Sequence, residues 1–395
     1  MIGKTLFAIC VFALGLSGAH ASPGMRIPFQ FLDNRIFVPV SLNGHGPYSF
    51  ILDTGASDWD VSHDVAGKLG LEPEGTQTIS GAGEGTAETK TLHVTETGLG
   101  AARFRNQLFY STDFGILNRV IGFTHFDGIA GAQVFRNHVV DIDFDKRLVT
   151  LTPPAGYAPP AGAIRISFTT PDGSTPLVSG IIGGVTGKFI VDTGDRSSLT
   201  LFGPFWRAHG LDKTFAPSVN ALTGYGVGGP IHGLIVRVSR FAFGGAQANG
   251  VVARLSLQKS GGFADPSIAG SIGSGLLRRF HVTFDYAHKQ IALVPGASFA
   301  KPDNFDRAGL WLGRAASGFA VYDVIANGPA AQTGLRTGDI ITAVDGKPVS
   351  QIDLFALRAR LADPHAGDSV TVVYQRGKTD KTAKLLLHDL LPLPK

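Results

Sequence analysis

The chain has 395 residues, 44% of them hydrophobic and 17% charged, which fits two or three folded domains and excludes a disordered chain. Net charge is +4, but the basic residues are scattered in runs no longer than pairs such as Arg278-Arg279, so nucleic-acid binding is not expected. The 52 Gly and 22 Pro make turns frequent and point to a β-rich fold.

The first residues read as a signal peptide over 1–21. Lys4 supplies a positive start, Leu6 to Gly18 an apolar stretch, and Ala19-His20-Ala21 a small-x-small site with cleavage expected after Ala21. The apolar stretch is too short for a typical membrane-spanning helix, so no stable membrane insertion is expected after cleavage. The single cysteine, Cys10, falls inside this segment. The mature chain is then expected to be periplasmic or secreted, with neither disulfides nor thiol chemistry.

An internal repeat follows. Tyr48-Ser49-Phe50-Ile51-Leu52 runs into Asp53-Thr54-Gly55, and Lys188-Phe189-Ile190-Val191 runs into Asp192-Thr193-Gly194. Downstream, Gly128-Ile129-Ala130-Gly131 corresponds to Gly270-Ser271-Ile272-Gly273. Asp53 to Gly131 is 78 residues and Asp192 to Gly273 is 81. Two motifs that keep nearly one spacing argue for duplication. Short Val-, Ile- and Phe-rich runs between Gly, Asn and Asp turns predict two β lobes, 27–152 and 164–295. Helices are expected around Phe135 and Leu276 to Arg279, and Trp59 and Trp206 are expected in the core. The Pro-rich stretch Thr152 to Ala163 reads as the connector between copies.

Beyond a second connector, residues 305–390 change character to a small α+β pattern. Strands are expected over Gly309 to Gly313 and Phe319 to Ile325, a short helix from Ala330, and a strand entering the Asp345-Gly346 turn. A helix is expected over Ile352 to Leu361, with strands closing at Val370 to Tyr374 and Ala383 to Leu387.

The duplicated D-T-G suits one chemistry. Carboxylate-driven hydrolysis of a peptide bond needs two acids sharing one proton around one water, and two like charges so close cannot both ionise. Gly55 and Gly194 allow the two backbones to approach. The hydroxyls of Thr54 and Thr193 can bond across and hold the pair. A lone D-T-G is a weak signal, since an Asp in a tight turn after a strand is common; two in matched positions are stronger. No H-E-x-x-H zinc pair, G-x-S-x-G elbow or phosphate loop is present.

On Asp53-Thr54-Gly55-Ala56, Asp192-Thr193-Gly194 and the later Ile129-Ala130-Gly131 and Ser271-Ile272-Gly273, residues 27 to 295 resemble the retropepsin-like aspartic proteases, two such units being fused as in pepsin-like enzymes. The resemblance implies a mainly β, bilobal endopeptidase with Asp53 and Asp192 sharing the acid and base roles. It implies no metal or cofactor, and a polypeptide substrate held extended between the lobes. It also places flaps at Ser80 to Gly85 and Gly224 to Gly229, with Gly83, Gly85, Tyr225 and Gly226 as flap candidates. Pepsin-like enzymes keep their flap tyrosine in the first lobe, so Tyr225 departs from the pattern. Asp195 departs further: it stands where the family has a small or hydroxyl residue, and is expected either to perturb the pair or to be neutralised by Arg196.

The tail resembles PDZ domains of bacterial envelope proteases. Gly309, Leu310, Trp311, Leu312 and Gly313 match the loop that receives a peptide C-terminal carboxylate, and the resemblance implies binding of peptide C-termini or control of access to the site. A groove that only packs on the peptidase body is the alternative. A second reading of the whole chain, which Asp195 favours, is a catalytically inactive peptide-binding scaffold.

Overall fold

The computed structural model describes residues 24–393; the expected signal peptide and Cys10 lie outside them. The fold is mainly β, and the duplication is visible in the order of its strands. In the first lobe, neighbouring strands run Arg35–Leu42, His45–Leu52, Gly128–Ala130, Trp59–Ser62, Ala102–Thr112, Thr86–Leu99 and Gly75–Ser80, with Gln30–Leu32 added at the edge. The second repeats the order as Leu177–Ile182, Val185–Asp192, Gly270–Gly273, Leu199–Leu201, Ala246–Ser256, Gly229–Phe243 and Ser218–Gly226. In both lobes the first strand also pairs with the sixth, which bends the sheet on itself.

Local chemistry explains the matched starts. The first two strands of each lobe are joined by a two-residue turn with positive φ at both positions, Asn43-Gly44 in one copy and Gly183-Gly184 in the other. That geometry closes a hairpin in the sense of the strand twist and favours Asn and Gly. The strand that follows, ending in Phe50-Ile51-Leu52 or Phe189-Ile190-Val191, lies between two partners and has its Phe fully buried. Continuous apolar runs fit such interior strands, which have a neighbour on either side.

A third sheet joins the lobes. Its six strands run Met25–Pro28, Leu148–Thr152, Val139–Asp143, Phe280–Asp285, Gln290–Pro295 and Ile164–Ser167. The two central strands come from different copies and pair antiparallel, Val140 with Phe284 and Ile142 with Val282. One apolar core, including Phe135, Trp59 and Trp206, runs through both lobes and this sheet. The helices expected near Phe135 and Leu276 form at Ala132–Asn137 and Ser274–Leu277.

The tail builds its own core around Leu312, Val321, Ile341, Leu357 and Leu385. Its main strands run Leu310–Ala315, Gly318–Val324, Ile340–Val344, Ser369–Arg376 and Thr379–Leu386, so Leu310–Ala315 is an edge. Helix Leu354–Ala362 begins at Asp353, whose side chain accepts the Ala356 amide at 2.7 Å. The tail does not hang free. Ile325 and Leu391 pack with Ala221 and Ile235 of the second lobe, Asp323 accepts the Leu222 amide at 2.6 Å, and Phe355 packs in a cluster of the first lobe.

Candidate active site

Asp53 follows strand His45–Leu52 and Asp192 ends strand Val185–Asp192, so the two copies deliver equivalent carboxylates to the lobe interface. Four hydrogen bonds fix them. Thr54 Oγ1 accepts the Thr193 amide at 3.0 Å and donates to the Val191 carbonyl at 2.7 Å. Thr193 Oγ1 does the reverse, accepting the Thr54 amide at 3.0 Å and donating to Leu52 O at 2.7 Å. Both threonines are fully buried. Each aspartate Oδ1 accepts the amide two residues on, Gly55 at 2.7 Å and Gly194 at 2.8 Å.

The glycines are required by the facing acid. A Cβ on Gly55 would lie 2.6 Å from Asp192 Cγ, and one on Gly194 would run into the Asp53 carboxylate. The two carboxyl groups are thereby within hydrogen-bonding reach of each other. Burial raises the pKa of both. Asp192 is held well above the usual carboxylate range by desolvation and by the charges of Asp53 and Asp195. A pair of this kind keeps one proton over a wide pH range and can act as acid and base together.

Asp195 is not paired with Arg196. It is buried, its amide donates to Asp192 Oδ1 at 3.0 Å, and its carboxylate faces Arg254, 3.3 Å away, and Thr200, whose hydroxyl donates at 2.9 Å. Burial works against its charge, but Arg254 and the amide of Ser197 bring its pKa below the ordinary range. Arg196 turns instead to Asp33, donating twice at 2.8 Å. Asp33 also takes Arg35 at 2.6 Å and lies 3.5 Å from Arg358 of the tail. Arg35 then donates through Nε to the carbonyl of Gly194 at 3.0 Å, which ties this cluster to the second D-T-G loop. Reading the sequence missed Arg35 and Arg254. The available signal was a lone Arg inside an apolar strand, as in Val251-Val252-Ala253-Arg254-Leu255.

The carboxylates open onto a cleft of about 660 Å³ between the lobes. Its first-lobe side includes Phe114, Leu117, Ile121 and Phe123; its second-lobe side includes Ile190, Phe202 and Phe263. Both glycine-rich hairpins reach over it and meet. Gly83 donates to Val227 O and Gly85 to Gly228 O, each at 2.9 Å, while Gly262 donates to Gly81 O at 2.8 Å. Gly226 packs on Ala82, and Tyr225 lines the cleft against the first-lobe apolar cluster.

The five tail residues expected at a peptide terminus are placed differently. The amides of Gly309 and Leu310 donate to the carboxylate of Asp306, Leu310 at 3.0 Å. Leu312 is in the tail core, Trp311 donates through Nε1 to Val120 O of the first lobe at 2.9 Å, and Gly313 packs on Arg119 O. The loop's amides are thus taken by an internal carboxylate, and the strand after it is covered by the first lobe.

The aspartyl protease family model matches residues 38–129, which include Asp53-Thr54-Gly55, and the PDZ domain model matches residues 296–387. The chain therefore carries an aspartyl protease domain and a PDZ domain. It is 38% identical over 71 residues to the serine protease Do-like HtrA of Lactobacillus helveticus, a stretch amounting to 18% of this chain and spanning 17% of that protein's length. Among solved structures it is similar to the aspartic proteinase from Irpex lacteus, with a TM-score of 0.44, 13% identity, and coverage of 70% of this chain and 98% of that one.

Proposed function

We propose that the chain is an aspartic endopeptidase that hydrolyses peptide bonds of extended polypeptides lying in the cleft beneath the paired hairpins. The observation that carries this reading is the reciprocal threonine lattice, which sets Asp53 and Asp192 against each other with both carboxyl pKa values raised. In the singly protonated pair, the ionised carboxylate takes a proton from a water whose oxygen attacks the peptide carbonyl carbon. The protonated partner gives its proton to the carbonyl oxygen. Collapse of the resulting diol returns the C=O, and the nitrogen leaves with a proton from the pair. The meeting hairpins would exclude solvent during these steps and must part to admit substrate.

Asp195 favoured the reading of an inactive scaffold. Its charge is opposed by Arg254 and it leaves the geometry of the pair intact, which supports the enzyme. Export through the segment 1–21 is part of the proposal. The test is digestion of a denatured protein mixture from about pH 3 to about pH 8 by the mature chain and by Asp53→Asn and Asp192→Asn. The wild type should cleave, and each variant should lose nearly all activity. The double variant should be little worse, because residues acting as one unit are not additive. Substantial cleavage by either single variant would remove the dyad.

A further inference from the structure

The first-lobe segment from Gly115 to Phe123, which contains the π-helical turn Asn118–Gly122, has two faces. Leu117, Ile121 and Phe123 line the cleft above the carboxylates. The other face is held by the PDZ domain. Trp311 Nε1 donates to Val120 O at 2.9 Å and Arg314 Nε donates to Gly122 O at 2.7 Å. Gly122, at φ +94°, sits close enough to Leu354 that a Cβ there would press on its Cδ2, and the Phe123 and Phe355 rings lie 5.5 Å apart. Arg196 and Arg358 guanidinium groups stand 4.9 and 5.1 Å from the centre of the Trp311 ring.

These contacts lie on the edge strand Leu310–Ala315 and the helix Leu354–Ala362. A peptide added to a PDZ sheet pairs with such an edge strand and packs on such a helix. Arg358 also spans from the helix to the Leu312 carbonyl, an acceptor that an added strand would use. The carboxylate position is filled as well, since Asp306 takes the amides of Gly309 and Leu310. Strand edge, flanking helix and amide loop are each occupied by this chain.

We infer, resting on the peptidase reading for the nature of the substrate, that the PDZ groove works in cis on the first-lobe segment from Gly115 to Phe123, and that Trp311 is a positioning residue fixing the apolar cleft wall and so the side chains the cleft accepts. The domain then tunes selectivity of the cleft and does not receive peptide C-termini while Asp306 fills its loop. Trp311 touches no reacting atom and works through Val120 and its neighbours.

Three measurements on the full chain test this. Amide exchange over residues 115–123 should accelerate by more than about tenfold in Trp311→Ala, with the D-T-G loops unchanged. Trp311→Phe, which keeps the ring and loses the N–H, should fall between. In a peptide series differing only in one apolar residue beside the cleaved bond, the kcat/KM preference for Phe over Ala should drop by about tenfold in Trp311→Ala, while the acidic limb of the pH profile stays in place. A labelled free-acid peptide should bind the wild type no more tightly than its C-terminal amide. Unchanged exchange, or free-acid binding clearly tighter than the amide, would overturn the cis occupancy. Faster exchange with an unchanged substrate preference would overturn the role in selectivity. A wild type that cleaves no peptide counts against the peptidase reading, and the cis contact is then decided by exchange and binding.

Discussion

Arg254 Nη2 lies 3.3 Å from both carboxylate oxygens of Asp195, inside the second lobe and one residue beyond its D-T-G. Thr200 closes the group, accepting from Arg254 at 2.6 Å and donating to Asp195 at 2.9 Å. Asp195 helps to raise the pKa of Asp192, and Arg254 offsets that charge. The two residues should therefore move the pH profile in opposite directions. The acidic limb reports loss of the first proton from the pair. Asp195→Asn removes a negative charge and should shift that limb of kcat/KM to lower pH, by roughly half to one unit. Arg254→Met leaves Asp195 uncompensated and should shift it to higher pH. Either variant breaks a buried ion pair and should lower stability by about 3 kcal/mol. Limbs that move in the same direction would contradict this account.

Thr54 and Thr193 each satisfy one buried amide and one buried carbonyl across the lobe interface. Truncating one hydroxyl leaves both partners unpaired, at a cost of about 1–3 kcal/mol per group. Thr54→Ala and Thr193→Ala should lower the urea midpoint and reduce kcat more than they raise KM, because the carboxylates lose their mutual register. Serine at either position keeps the oxygen and should retain most of both properties. An alanine variant with wild-type stability and kcat would show that the lattice does not position the pair.

What was legible in the sequence is what local pattern encodes. The short Val-, Ile- and Phe-rich runs mark strands and the doubled D-T-G an acid pair, because each depends on neighbours in the chain. The partner of Asp195 was not legible. Arg254 is 59 residues away, in strand Ala246–Ser256, whereas adjacency points to Arg196, which the Asp33 carboxylate draws off instead. What lies against the PDZ groove was not legible for a similar reason. The pattern from Gly309 to Gly313 specifies the loop and edge strand, but not that Asp306 would turn into that loop or that a π-helical turn with no readable period would cover the strand.

Gly83 and Gly226 separate closure of the hairpins from their mere presence. A Cβ on Gly83 would collide with the Gly228–Gly229 backbone of the opposing hairpin, whereas one on Gly226 meets the Ala82 Cβ at 3.2 Å and the Ile231 side chain at an ordinary 3.5 Å. Gly83→Ala should therefore hold the hairpins apart and lower kcat/KM by about tenfold or more, with little change in thermal midpoint. Gly226→Ala should stay within about threefold of wild type, since one methyl contact can relax. Equal effects of the two substitutions would exclude hairpin contact as a step in turnover.

Asp60, in the wall of the same cleft, predicts a pH dependence of stability. It is buried and takes the Thr112 hydroxyl at 2.7 Å through Oδ2, and among the described residues Oδ1 has no hydrogen-bond partner. Burial raises its pKa to about 8, against an ordinary value of 3.8. The native state therefore binds this proton more tightly than the unfolded chain does. Its contribution is fully present below about pH 4 and is lost progressively as pH rises through about 8. Asp60→Asn keeps the shape and cannot ionise. Relative to wild type, it should gain stability between about pH 4 and about pH 8, on the order of a few kcal/mol, as read from urea midpoints at the two pH values. The comparison between variant and wild type cancels the other titrating groups. A difference that does not change with pH would mean that Asp60 is ionised in the folded protein at neutral pH.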